Sequence, residues 1–121
     1  MIWYNYSMSD RKWTIPRAKM SAQERQARSR LAQLISQRGM LRGSLLVRRR
    51  VCGKPNCKCT RGEKHESLYL VISQGGRTRQ LYVPKDWEVR VRRWVQEYRR
   101  ARQLMEEISR IYWDKVRHRQ G

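Results

Sequence analysis

Apolar residues change their spacing along this chain, and each change marks an element. Over residues 21–38, Ala27, Leu31, Leu34 and Ile35 recur at helical intervals. Ser21-x-x-Glu24 supplies a capping box at the start, and Gly39 stands where a C′ residue would stop the helix. Arg25, Arg28, Arg30 and Arg38 occupy much of the other face. The pattern then shortens to alternation, predicting strands over residues 44–51, 67–73 and 77–83. Gly75-Gly76 is a two-residue hairpin loop, because glycine accepts the positive φ such turns need. That loop fixes the register: Leu68 faces Val83, Tyr69 faces Tyr82 and Leu70 faces Leu81. One face then holds Leu68, Leu70, Ile72, Leu81 and Val83, and the other Tyr69, Val71, Thr78, Gln80 and Tyr82. The first strand adds Leu45, Val47 and Val51 to one face, and Arg48 and Arg50 to the other.

From Pro84 the spacing becomes helical again. Pro84 suits a first turn, and Asp86 and Glu88 complement its positive end. Trp87, Val91, Trp94, Tyr98, Ala101, Met105, Ile108 and Tyr112 alternate in steps of four and three, a heptad seam. A helix over residues 84–118 would be roughly 50 Å long, more than a three-stranded sheet can cover. Its remainder needs the N-terminal helix, a second copy or a larger protein partner. Residues 1–20 show no periodicity but carry Trp3, Tyr4, Tyr6 and Trp13. They read as an irregular arm, either frayed or docked on a partner. The expected organisation is that arm and one α+β domain over 21–121: helix 21–38, a small antiparallel sheet within 43–83, and the long helix.

Charge changes the picture. The 121 residues carry 29 Lys+Arg against 10 Asp+Glu, a formal net charge of +19. The excess is spread along the chain, so the folded body itself is expected to be basic. That balance implies a polyanionic partner, nucleic acid (RNA or DNA) before an anionic membrane or an acidic protein. No apolar run reaches the roughly 18 residues needed to span a bilayer. The start lacks a basic segment followed by an apolar one, and three cysteines make an odd count. A reducing cytoplasm is therefore the expected compartment.

The cysteines cluster. Cys52, Cys57 and Cys59 lie within eight residues, and His65 follows in a C-x4-C-x-C-x5-H pattern. Gly53, Pro55-Asn56 and Gly62 supply turns. Free cysteines usually sit in apolar sequence; here the setting is Gly, Pro, Asn and Lys. Three thiolates and an imidazole suit a closed, structural, tetrahedral Cys3His zinc site. Lys54, Lys58, Arg61 and Lys64 would favour the thiolates. His118 is an alternative fourth ligand. Arg42-Gly43-Ser44-Leu45, CGKPNCKC, Arg61-Gly62-Glu63-Lys64-His65 and GGRTRQLYVP, followed by a Trp/Tyr/Arg-rich helix, resemble a family of short bacterial and archaeal proteins. The resemblance covers about residues 40–112. It implies a zinc-ribbon-like domain and no particular activity.

Candidate phosphate contacts are Arg48, Arg49 and Arg50, the knuckle cations Lys54, Lys58, Arg61 and Lys64, and Arg77 and Arg79 on the hairpin. Tyr69 and Tyr82 form a cross-strand pair on the face of Arg48 and Arg50, where aromatics among cations can stack unpaired bases. Alternatively, helix 21–38 covers that face and both tyrosines are core. Arg90 and Arg93, then Arg99, Arg100 and Arg102, then Arg110, Lys115, Arg117 and Arg119 form helix rows that are either solvated or in contact with a partner. No helix-turn-helix or ββα finger pattern is present. Enzymatic function is not expected, because the acids gather mainly on the long helix at Glu97, Glu106 and Glu107, spaced as ion-pair partners rather than as a nuclease centre. A nucleophilic cysteine would lack an evident orienting carboxylate. The expected function is zinc-stabilised nucleic-acid binding, as an accessory subunit of a nucleoprotein complex. The alternative is an assembly module that dimerises or docks through the long helix. Elemental analysis of purified protein is expected to find stoichiometric zinc, and Cys57→Ser to lose it; wild-type protein isolated without chelator and free of metal would overturn the knuckle.

Overall fold

The computed structural model describes residues 12–50 and 65–120. Within the N-terminal arm, Arg17–Lys19 form a short 3-10 turn. Helix α1 spans Ala22–Gln37. Ser21 caps it, its Oγ accepting the Glu24 N–H at 3.1 Å. Only that half of the expected capping box forms, because the Glu24 side chain points into the contact with the second helix. At the other end Arg38 is extended, with φ −114° and ψ 142°. Gly39 is therefore not the left-handed stop that its position suggested. Its role is one of space: a Cβ there would lie 2.5 Å from Trp94 Nε1. Just beyond, the Leu41 N–H donates to the Trp94 carbonyl at 3.1 Å. The chain between the first helix and the sheet is thus held against the second helix.

Three strands follow: β1 Ser44–Arg50, β2 His65–Gln74 and β3 Arg77–Val83. They pair antiparallel in the order β1-β2-β3. Gly75 and Gly76 have φ of 57° and 75°, the two positive values that a type I′ hairpin requires. The register is the expected one, with Leu68 opposite Val83, Tyr69 opposite Tyr82 and Leu70 opposite Leu81. On the other edge Leu45 pairs with Leu70 and Val47 with Leu68. The fold is α+β, as the alternation and the two helical stretches indicated.

Pro84 leads into a 3-10 turn, Lys85–Trp87, and helix α2 begins only at Glu88 and runs to His118. Its length is about 46 Å. Val91 and Val95 enter the core with Leu68, Leu70 and Val83, flanked by Leu41, Leu45 and Ile72. Further along, Ala101 and Leu104 are buried where α2 meets α1. The heptad reading places this stripe imperfectly. Trp87 and Met105 are exposed, while Val95 and Leu104 lie inside. A strict seven-residue repeat drifts by about 20° per heptad around a straight helix. A helix facing a sheet first and a helix afterwards has no reason to follow it.

The α1–α2 contact closes on a buried polar cluster. Glu24 is fully buried. Its Oε2 accepts hydrogen bonds from the Tyr112 hydroxyl and from Arg28 Nε, both at 2.8 Å. Arg28 Nη2 also approaches the Tyr112 oxygen, at 3.4 Å. Burial disfavours the Glu24 charge. The hydrogen bonds from Tyr112 and Arg28 and the charges of Arg28 and Lys115 outweigh it and hold the carboxyl below its ordinary value. The Tyr112 hydroxyl is pushed up, by burial and then by its bond to Glu24.

This packing can be tested at the sheet and at the helix contact. Leu68 is 2% exposed and Leu81, on the same sheet face, is 65% exposed. Leu68→Ala should cost about 2–5 kcal/mol and Leu81→Ala well under about 1 kcal/mol in urea denaturation. For Glu24, a folded pKa below the unfolded one contributes stability above about pH 4.3 and loses it as pH falls through the folded value. Glu24→Gln should lower stability at neutral pH by about 1–3 kcal/mol and flatten the acid limb of a stability-against-pH curve; an unchanged acid limb would rule this account out.

Candidate nucleic-acid interface

Strand alternation divides the sheet's side chains between two faces. Leu45, Val47 and Arg49, then Glu66, Leu68, Leu70 and Ile72, then Arg79, Leu81 and Val83 share the face that meets α2. Leu46 and Arg48, then Ser67, Tyr69 and Val71, then Thr78, Gln80 and Tyr82 share the opposite one. Helix α1 packs on α2, and the second face is left accessible among the described residues. Tyr82 is 51% exposed and Leu46 is 42% exposed. The tyrosines are therefore not the core of a sheet covered on both sides.

The chemistry of this face centres on Arg48. Its guanidinium lies 5.1 Å from the Tyr69 ring centroid, and its Nη2 donates to Gln80 Oε1. Arg48 stands on β1 and Gln80 on β3, so the side chain crosses the middle strand and lies over Tyr69. Tyr69 and Tyr82 meet edge to face, with centroids 5.8 Å apart and planes at 67°. Cation–π contact and the Gln80 bond thus hold a charged plate beside an exposed ring. Arg48 Nε is buried without a hydrogen-bond partner among the described residues. A platform of this kind can stack a planar base on Tyr82 and offer a guanidinium to a phosphate.

The other expected contacts are not all brought here. Arg49 takes the opposite parity and pairs with Glu66 at 2.9 Å. Arg77 and Arg79 also fall on that parity, away from the tyrosines. Arg50 holds the last position of β1 and is the backbone partner of His65. Cys52, Cys57, Cys59, Lys54, Lys58, Arg61 and Lys64 lie outside the described residues. Among the described residues no three His, Cys, Asp or Glu side chains gather as metal ligands. His65 opens β2, is exposed, and has the same strand parity as Ser67 and Tyr69. His118 ends α2.

One participant on this face, Gln80, carries no sequence signal that singles it out. Gln80 falls on this face by alternation, but its part depends on Arg48 reaching across β2. Glu97, expected at the surface, is buried and bonded to Arg93 at 2.8 Å. Its neighbours in the α2 stripe pull it inwards, and the arginine four residues back satisfies it.

No helix among the described residues is long and apolar enough to cross a membrane. Residues 21–93 match a family described as a domain of unknown function (DUF6788), and the chain belongs to that family. The matched stretch begins at the cap of α1 and takes in the whole sheet and the start of α2 as far as Arg93. No curated protein and no solved structure matches the chain.

Proposed function

We propose that this member of the DUF6788 family binds single-stranded nucleic acid, RNA or DNA, on the tyrosine face of its sheet. The observation that carries the reading is the exposed Tyr82, set edge to face with Tyr69 under a guanidinium that spans the sheet. Aromatic rings accept any base, and arginine contacts phosphate without reading sequence. The net charge of +19 provides the long-range attraction for a polyanion. Duplex DNA could not lay its stacked bases on this platform; an unpaired strand can.

Zinc belongs to the same proposal. Arg50 and His65 are directly paired, so the connection 51–64 leaves and re-enters the sheet at one point. Cys52 stands two residues beyond that neck and His65 forms part of it, which suits Cys52, Cys57, Cys59 and His65 as a Cys3His set. The metal would supply structural cross-linking. Lys54, Lys58, Arg61 and Lys64 would be carried on the loop it ties.

A second reading is favoured by the far end of α2. Trp113 and Val116 are 69% and 73% exposed, which suits docking of a second copy or of a larger protein partner. Sedimentation at low micromolar concentration would find a dimer that Trp113→Ser converts to monomer; a wild-type monomer throughout would dismiss self-association.

Binding of labelled oligonucleotides, followed by fluorescence anisotropy against salt, tests the main reading. Affinity for a single strand should fall steeply with salt. Tyr82→Ala should weaken it by about 1–3 kcal/mol without changing the salt slope. Salt-insensitive binding, or a Tyr82→Ala variant with wild-type affinity, would refute it.

A further inference from the structure

The sheet face uses few of the arginines. The chain has 22 of them against 7 lysines, and several gather where α1 packs along α2. A cavity of about 300 Å3 there is lined by Arg30, Arg38, Arg93 and Arg100. A second, of about 420 Å3, is lined by Arg17, Arg25 and Arg30. The two adjoin at Arg30 and Gln33; the second is lined by Arg17 and α1 alone, while the first is the interhelical groove, lined from both helices by four arginines and no lysine.

The one carboxylate in the lining of this groove is already committed. Glu97, the one acid in its lining, is buried and bonded to Arg93. Glu24, on α1, is fully buried and held by Tyr112 and Arg28. Arg30, Arg38 and Arg100 are exposed and make no ion pair among the described residues. Like charges lined up in a concave surface repel one another and raise the local potential. Arginine presents a planar fork that matches phosphate oxygens, and glutamine amides add neutral donors. From Arg30 to Arg38 is about 12 Å along α1. Stacked nucleotides rise only about 3.4 Å each, so the groove takes more than one phosphate.

We infer that this interhelical groove is a second contact surface for the nucleic-acid strand, binding its phosphodiester backbone through Arg30, Arg38, Arg93 and Arg100. The inference rests on the reading of the sheet face as a base-stacking platform, and it assigns the two surfaces different work. The sheet holds bases; the groove neutralises phosphates. The groove lies between helices that the buried Glu24–Tyr112 bond holds together, so the backbone positions that carry its cations keep a fixed spacing.

The test compares two double variants of equal charge change on labelled oligo(U), between about 50 and 200 mM salt. Arg30→Gln with Arg100→Gln removes two groove cations. Arg110→Gln with Arg117→Gln removes two exposed cations elsewhere on α2. All four side chains are exposed, and matching melting temperatures would verify folding. The groove pair should lower the slope of log affinity against log salt by about 1.4, the value for two phosphates on a single strand. The control pair should lower it by less than half as much. Equal effects would show diffuse charge and overturn the inference, as would an unchanged slope in the groove variant. Displacement of oligo(U) by polyglutamate as effectively as by unlabelled oligo(U) would reassign the groove to an acidic protein and overturn it too. Tyr82→Ala keeps the readings separate. If it is silent while the groove pair changes the slope, the platform fails and the groove stands.

Discussion

Helix α2 meets two different partners along one side, and the rest of the fold is arranged around that division. Val91 and Val95 pack on the sheet with Leu68, Leu70 and Val83. Further along, Ala101 and Leu104 face α1. The change of partner falls near Trp94, whose carbonyl receives the Leu41 N–H and whose indole occupies the space that Gly39 leaves. Because α2 supports the sheet from one side and holds α1 along its own length, α1 does not fold over the tyrosine face. The exposure of that face thus follows from where the first helix is engaged.

The elements legible in the sequence are those set by local rules. A two-glycine turn allows one register, so the pairing of β2 with β3 follows from the residues alone. The partner register of β1 does not, because residues 51–64 form a connection too long to fix it. Arg48 and Arg49 read as neighbours in one basic run, although the pleat of β1 sends them to opposite faces. The α2 stripe is legible as helical but not as to which residues enter it. Trp87 and Met105 follow a heptad that no single neighbour enforces, while Val95 and Leu104 answer to the sheet and to α1 in turn. Glu24 shows the same limit in the other direction. Its spacing from Ser21 signals a cap, and a bond to Tyr112, 88 residues away, redirects it.

Charge works against compaction here. The three ion pairs between described side chains are Arg28 with Glu24, Arg49 with Glu66 and Arg93 with Glu97. Two of these bring a buried carboxylate into play, so the fold uses scarce acids inside, where an unpaired charge would be most costly, and leaves arginines facing water. Repulsion among surface charges of one sign opposes the compact state. The result is a basic exterior around an apolar interior whose two buried carboxylates are each paired with an arginine.

The pairing of Arg50 with His65 also bears on how such a chain can vary over evolutionary time. Exit from β1 and return to β2 are neighbours, so a change in length between them need not alter the strand register. The entropy of closing a flexible loop rises only logarithmically, by about 0.6 kcal/mol for each doubling of its length. In closure entropy alone, added length between Arg50 and His65 therefore costs little so long as the proposed zinc ligands Cys52, Cys57 and Cys59 are kept, whereas a one-residue slip in β2 would turn every core leucine to the wrong face. Descendants of one frame can therefore differ in chain length at this neck without rebuilding the sheet.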